Sequence, residues 1–443
     1  MGRPAIDSPE PPIDPRSYPR ERENPAAQSN ARPSWWRALR VPNFRKVWTV
    51  ATSAQFGYWF SSIAFQWIVA QATGNDAFVL GLLYFVMLLP ILLLSVPAGL
   101  LADRIDRRHI VIACQSAIVV ISLVTAGLIW WGPPPLWALL TCGFAVGTAH
   151  SLATPAYTAL VANSVTSRDL PSAVPLQAIG MNLARILGPV AAGGIIFFGG
   201  TAESLLVYGM FGLLGLIVIL RVPRLQDVPA IHEPASIIRQ IRSGFGHARR
   251  NRPAALALAI VAMCSLFAAS YLAQLPVLAA NSSDQTGAFV VLTSSGGVGS
   301  LIGVLLVATR SSGSPSVTPA AVMLLVMGGV VAMLGYGPSL TVEMGLVAAA
   351  GALQFAIMTT CNRVIQQVVH DSHRGRVMSL YAITWGGFLP LGGLWLGMLI
   401  STTGITTAFT INGVITILFA ALVLRPGVAR SGVSRYGDYS AES

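Results

Sequence analysis

Two ionisable side chains stand deep inside apolar runs of this 443-residue chain, His150 and Arg185. Each lies about 13 residues into its run, which at about 1.5 Å per helical residue places it about 20 Å in, near the middle of a bilayer. Imidazole is the one mid-run side chain whose ordinary titration range lies near neutral pH, so His150 could carry a proton. A guanidinium in such surroundings faces a partner or a watery cavity, which makes Arg185 a candidate for ligand binding or coupling. Each also has a plain structural reading. His150 could be a satisfied core histidine, and Arg185 could cap carbonyls or organise packing between neighbouring helices. All 17 acidic residues fall in tails, loops or run ends, so no carboxylate shares the interior with them.

Neutral polar and aromatic residues in the same runs could line a passage. They are Gln55, Tyr58, Gln66 and Trp67 in the first run, Asn182 in the fifth, Tyr271 and Gln274 in the seventh, Gln354 and Asn362 in the tenth, and Trp385 in the eleventh. Taken singly, each is ordinary packing material. As a set spread over both halves of the chain, they suit an amphipathic organic ligand better than a simple ion. An enzyme would need a nucleophile with its base, a metal set or a nucleotide loop. The chain has no GxSxG, no HExxH and no GxxxxGK[ST], and Cys114, Cys142, Cys264 and Cys361 share no CxxC or CxxxxH spacing. It therefore reads as not an enzyme, with no cofactor, no metal, no disulfide framework and no use of ATP.

A charged segment interrupts the apolar pattern. Gly99-Leu-Leu-Ala-Asp103-Arg104-Ile-Asp106-Arg107-Arg108 places five charges in six residues between two runs that are each long enough to cross a bilayer. On a helix Gly99 and Asp103 share a face, the glycine allowing close approach to a neighbour and the carboxylate setting a charge beside it. Arg104, Arg107 and Arg108 are expected to hold the turn in water.

The elements that must position these residues follow from bulk composition. With 54% hydrophobic and 10% charged residues and a mean hydropathy of +0.66, the chain is an integral membrane protein. Apolar runs lie near 47–71, 77–101, 109–131, 136–161, 172–198, 205–222, 254–280, 286–309, 318–337, 343–368, 377–402 and 405–424, each about the 20 residues a bilayer needs. The expected fold class is all-α: twelve transmembrane helices in two six-helix halves. The net charge of +11 would suggest nucleic acid in a soluble protein, but its placement excludes that partner. The alternate gaps near 72–76, 132–135, 199–204, 281–285, 338–342 and 403–404 contain no Lys or Arg, while the other gaps and both tails hold nearly all of the 28. By the positive-inside rule both termini and the central loop are cytoplasmic, in a multi-pass protein of the inner membrane.

Residues 1–40, rich in Pro, Arg and Glu, read as a disordered cytoplasmic tail rather than a signal peptide. Two halves at 41–222 and 254–425 flank a basic linker at 223–253, and 426–443 form a second cytoplasmic tail. Within the linker Ile237, Ile238, Ile241 and Phe245 recur at helical spacing opposite Arg239, Arg242 and Arg249, which suits a helix on the membrane surface in contact with lipid. The basic turn 162–170 of the first half matches the turn 368–377 of the second, as in transporters built from repeats. Trp35, Trp36, Trp48, Trp130, Trp131 and Trp137 suit interfacial anchors.

The charged turn resembles the signature G-x-L-A-D-R-x-G-R-R of the major facilitator superfamily, with Asp106 where the second glycine usually stands. Within it, the chain is most similar to the transmembrane secretion effector group, which includes enterobactin exporters and multidrug-like efflux proteins. Three further segments carry that likeness: Asn182-Leu-Ala-Arg185-Ile-Leu-Gly188-Pro189, Arg374-Gly-Arg376-Val-Met-Ser-Leu-Tyr381 and Ser243-Gly-Phe-Gly-His-Ala-Arg249-Arg250-Asn-Arg-Pro253. Together they span roughly residues 40–425. Gly180, Ala184, Gly188, Pro189 and Gly193 also resemble the antiporter motif of exporting members, implying a bend and a sliding surface between the halves. Many members carry a carboxylate in the first span, often as Gly-Asp; here Gly57-Tyr58 stands instead, which moves the coupling question to His150 and Arg185. Asp103 would face the N-terminus of the eleventh span near Gly375 and act as an inner gate favouring the outward-open state.

The resemblance implies a secondary active transporter that exports a small hydrophobic or amphipathic molecule, drug- or siderophore-like, by proton antiport with alternating access. The alternatives are an importer of a small metabolite and a transport-fold sensor without flux.

Overall fold

The computed structural model describes residues 36–166, 168–223, 246, 249, 251–308, 316–337 and 339–425. Every regular element among them is a helix. After a short turn at Arg37–Arg40 come α1 (Pro42–Thr73), α2 (Ala77–Arg104), α3 (Arg107–Trp131), α4 (Leu136–Asn163), α5 (Leu170–Phe198) and α6 (Thr201–Leu220). The second half comprises the broken helix α7 (Arg252–Ala279) and α8 (Gln285–Ala308), α9 (Thr318–Leu334), α10 (Leu340–Val368), α11 (Asp371–Thr403) and α12 (Ile405–Leu424). Ten of these are long and apolar enough to cross a membrane. Of the remaining two, α9 is apolar but only 17 residues long. The other, α1, has 32 residues but includes Arg45, Lys46 and many Ser, Thr and Gln.

Short polar side chains start several helices. Asp76 accepts from the Val79 N–H at 3.1 Å, Asn251 from that of Ala254 at 3.2 Å and Ser339 from that of Val342 at 3.4 Å, each satisfying a donor the first turn leaves free. Asp106 does the same for α3, accepting from Arg108 N–H at 2.9 Å. Its φ of −50° is ordinary for an L residue, so the aspartate in the glycine position is a helix cap and no burden on the turn.

Lipid tails are as apolar as leucine, so the helices are held by close packing rather than by a hydrophobic drive between them. Gly299 and Gly303 of α8, four apart, lie against the Ala348 and Ala352 carbonyls of α10. Among the pairings, α1 packs on α5 and α6, α2 on α4, and α3 on α6 in the first half, while α8–α10 and α9–α12 pairs build the second. The halves meet along α2–α11 and α5–α8.

That seam is tightest at the end of the bundle away from the chain termini, here called the distal end. A Cβ on Gly81 would fall 2.5 Å from the Gly393 carbonyl oxygen, and one on Gly193 would fall 2.9 Å from the Val290 side chain. Trp67 of α1 stacks on Phe289 of α8, with ring centroids 4.9 Å apart. Toward the opposite, terminal end the inner faces become more exposed: Arg185 is half-buried while Met181, Ala178 and Val174 are exposed, and His150 and Thr154 give way to exposed Thr158. The space between the halves therefore opens toward the terminal end.

The break in α7 has a local cause and a tertiary support. Pro276 lacks an N–H and obstructs the helical bond to the Leu272 carbonyl, and the preceding turns widen over Cys264–Ala268 and tighten over Ser270–Gln274. Buried Asn412 of α12 repairs part of the loss, donating to the Phe267 carbonyl at 3.2 Å and to Ser270 Oγ at 3.0 Å. Trp395 in turn donates to Asn412 Oδ1 at 3.1 Å.

Several expectations change here. A Cβ on Gly99 would meet nothing within 4 Å, because the terminal ends of the halves stand apart, so this glycine makes no close approach. Arg107 is buried and donates to the Ala102 carbonyl at 3.2 Å. Arg108 donates to the Ile219 and Leu220 carbonyls at 3.3 and 3.0 Å, capping the C-terminus of α6. Of the three arginines only Arg104 is exposed as expected. Trp48 donates across to the Leu176 carbonyl of α5 at 2.9 Å and so ties α1 to α5, whereas Trp130, Trp131 and Trp137 are exposed as anchors would be. The end of the expected disordered tail is instead ordered against α5, with Ala38 buried and its N–H donating to Ser172 Oγ at 3.1 Å. The Asp103 side chain, residues 1–35 and 426–443, and all of the linker but Pro223, Gly246, Arg249 and its last residues lie outside the described residues.

Candidate functional site

Between the halves lies a cavity of about 330 Å³, walled by α1, α2, α4, α5 and α11, a size typical of small-molecule sites. Prolines interrupt four of these helices: Pro90 and Pro97 in α2, Pro155 in α4, Pro175 and Pro189 in α5, and Pro390 in α11. Each leaves a carbonyl without its helical donor. Ser151 ties α4 to α2 at one of these prolines, donating to the Pro90 carbonyl at 3.1 Å.

Five of the residues singled out from the sequence meet at this cavity: Gln55, Tyr58, His150, Arg185 and Trp385. Tyr58 and His150 stack face to face, with ring centroids 3.8 Å apart and planes 14° from parallel. The Arg185 guanidinium carbon lies over three rings, 5.4 Å from that of Trp59, 4.9 Å from Phe355 and 5.2 Å from Trp385. Two of those rings come from the second half, so this cation bridges the halves through aromatic faces. Its Nε is buried without a hydrogen-bond partner. Among the described residues the wall offers one imidazole and neither carboxylate nor thiol, a set that could not cage a metal ion.

The other candidates lie elsewhere. Gln274 is buried on the distal seam, donating to the Ala77 carbonyl at 3.1 Å, and Trp67 is the seam residue stacked on Phe289. Tyr271, Gln66 and Gln354 are buried away from the cavity wall. Asn182 donates to its own helix at the Ala178 carbonyl, 2.8 Å away, and Asn362 accepts from Gln366 one turn on, at 2.5 Å. The antiporter-like motif divides its work. Gly180 and Gly188 face Thr52 and Trp59 of α1 within the first half, while Gly193 alone of the motif's glycines faces the other half, at Val290. Ala184 and Pro189 are buried between them.

Residues absent from the sequence reading include Trp59, Ser62, Tyr84 and Met181 on the wall and Phe355 beneath the guanidinium. One signal was available. Gln55, Tyr58, Trp59 and Ser62 share the i, i+3, i+4, i+7 spacing of a single helix face, and Met181 precedes Arg185 by one turn.

Comparison with known proteins fits this architecture. The family model described as transmembrane secretion effector matches residues 33–432. The staphyloferrin A transporter of Staphylococcus aureus is 25% identical over 364 residues, covering 82% of this chain and 90% of its own. Macrolide efflux protein A of Streptococcus pyogenes is 22% identical over 371 residues, covering 80% and 88%. Among solved structures, a variant of the nucleoside transporter NupG superposes with a TM-score of 0.68 at 13% identity, over 87% of this chain and 98% of that one. A bacterial homologue of the human lysosomal transporter Spinster, inward-facing and unoccupied, gives 0.62 at 14% identity, over 86% and 95%. These structures share the fold. The relatives are transporters and not enzymes, and the chain is a multi-pass membrane transporter that belongs to the transmembrane secretion effector family of the major facilitator superfamily.

Proposed function

We propose that the protein is a secondary active exporter of the inner membrane, moving a small hydrophobic or amphipathic molecule, drug- or siderophore-like, outward in exchange for protons. The observation that carries this reading is a central cavity sealed at the distal end by the α2–α11 seam and open toward the terminal end. With both termini in the cytoplasm, a reading that the arginine-free distal loops support, the cavity loads from the cytoplasm. Alternating access then consists of parting the glycine-lined distal seam while the terminal ends close.

His150 carries the coupling proton in this scheme. It shares the cavity with Arg185, Tyr58 and Tyr84, and no carboxylate lines the wall among the described residues. Asp103, near the membrane edge, is the gate residue that meets the start of α11 when the terminal ends close. In α5, Gly180, Ala184 and Gly188 with Pro189 hold the bent helix against α1, and Gly193 is the sliding contact.

Everted and right-side-out vesicles given a labelled macrolide or labelled staphyloferrin A in the external medium test the direction. Uptake into everted vesicles that rises when their lumen is acidified supports export by proton exchange. Uptake confined to right-side-out vesicles would make the protein an importer, and binding without flux in either would make it a sensor.

A further inference from the structure

We infer that the cavity selects organic anions, with Arg185 as the anchor for the anionic group and the aromatic and aliphatic wall as the seat for the cargo's apolar body. The inference rests on the reading of this cavity as the transport site. Three rings, Trp59, Phe355 and Trp385, lie 4.9 to 5.4 Å from the guanidinium carbon. Rings over the faces of a guanidinium compensate part of its lost hydration, yet they take none of its five N–H donors, which point outward in its plane. Nε is buried with no partner, and Arg185 has no ion pair among the described residues. A donor set of this kind is completed by a planar anion that accepts two parallel bonds, such as a carboxylate.

The rest of the wall excludes the opposite charge. Among the described residues no Asp or Glu lines the cavity, so a cationic cargo would meet an uncompensated guanidinium in a medium of low dielectric. Apolar residues including Met87, Leu88, Ile91 and Leu389 make up much of the surface. A volume of about 330 Å³ would leave an inorganic ion mostly surrounded by empty apolar wall, which assigns the site to an organic acid.

A matched series of probes tests this: three pyrenes whose butyl chain ends in a carboxylate, a hydroxyl or a trimethylammonium group. Binding to the purified protein is read as energy transfer from tryptophan to pyrene, and flux is read in proteoliposomes against protein-free liposomes. The carboxylate is expected to bind at least about tenfold more tightly than the hydroxyl, equivalent to about 1.4 kcal/mol, with the ammonium weakest. Arg185→Gln should bring the carboxylate and hydroxyl to equal affinity, and Arg185→Lys should keep part of the preference. Because the wild-type series stands without any variant, a misfolded Arg185→Gln protein leaves the test intact. Equal or reversed affinities, no binding by any probe, or displacement of the carboxylate by chloride at comparable concentration overturns the inference. Flux of the pyrenes without preference for the anion overturns it while leaving transport standing. Arg185-dependent binding of the anion without flux under any gradient keeps the inference and removes the transport reading.

Discussion

Gln274 of the second half donates its Nε2 to the carbonyl oxygen of Ala77 in the first, 3.1 Å away. The same nitrogen lies 3.5 Å from the Gly393 carbonyl, so one side chain next to the break in α7 touches both helices of the distal seam. A Cβ on Gly397 would strike the Ala77 carbonyl, and one on Gly81 would meet that of Gly393. Bare glycine backbones and one amide thus bring α2, α7 and α11 close enough to seal the cavity without any ion pair at that contact.

Gly81→Val is therefore expected to hold the distal end apart. Its branched side chain would place atoms inside the Gly393 peptide, a clash that only separation of α2 and α11 relieves. Spin labels at Trp131, the exposed last residue of α3, and Tyr336, exposed just after α9, should report a longer distance in this variant, and flux should fall at least about tenfold, or 1.4 kcal/mol. Unchanged distance and flux would remove the seam from the transport cycle.

Arg108→Ala should destabilise the first half by about 1 to 2 kcal/mol, since it removes a charged donor from two carbonyls at the end of α6. Arg104 is exposed, so Arg104→Ala should change stability by no more than about 0.5 kcal/mol. Denaturant unfolding in detergent micelles checks both, and equal effects would mean that Arg108 does no more than mark topology.

How much of this was legible beforehand depends on what the bilayer makes expensive. A buried histidine or arginine is rare in lipid, so His150 and Arg185 stood out from their spans without any knowledge of packing. Uncharged polar residues carry no such mark. Gln55 reaches the cavity and Gln274 reaches the seam, and the difference lies in depth along the helix and in which neighbour it meets, neither of which hydropathy records. Likewise Arg108 and Arg104 are equivalent as signals of topology. Only the tertiary approach of α3 to α6 gives one of them carbonyls to cap.

His150→Gln keeps a polar planar group against Tyr58 but cannot be protonated. If the imidazole stacked 3.8 Å from Tyr58 carries the coupling proton, the variant's flux should stop responding to an imposed proton gradient while cargo binding persists. Tyr58→Phe, which keeps the stack, should leave that response in place. Measured in proteoliposomes at several pH gradients, a gradient response in His150→Gln equal to that of the wild type would end the coupling assignment.

The charge on the cargo is also readable from the membrane potential. Arg185 returns to its starting position after each full cycle, so the net charge moved per turnover is that of the cargo and the coupling ions alone. For one cargo exchanged for one proton, an anion leaving and a proton entering both move positive charge inward, giving two charges; a neutral cargo gives one and a monocation gives none. At about 2.3 kcal/mol per charge per 100 mV, the driving force added by an inside-negative potential is about 4.6, 2.3 or 0 kcal/mol in the three cases. A potassium diffusion potential set with valinomycin should therefore drive export of the pyrene carboxylate with the two-charge dependence. A one-charge slope would mean that the carboxylate crosses protonated or without its proton partner. Insensitivity to potential, together with a response to the proton gradient, would mean that the carboxylate leaves together with a proton rather than in exchange for one, and would end the antiport reading.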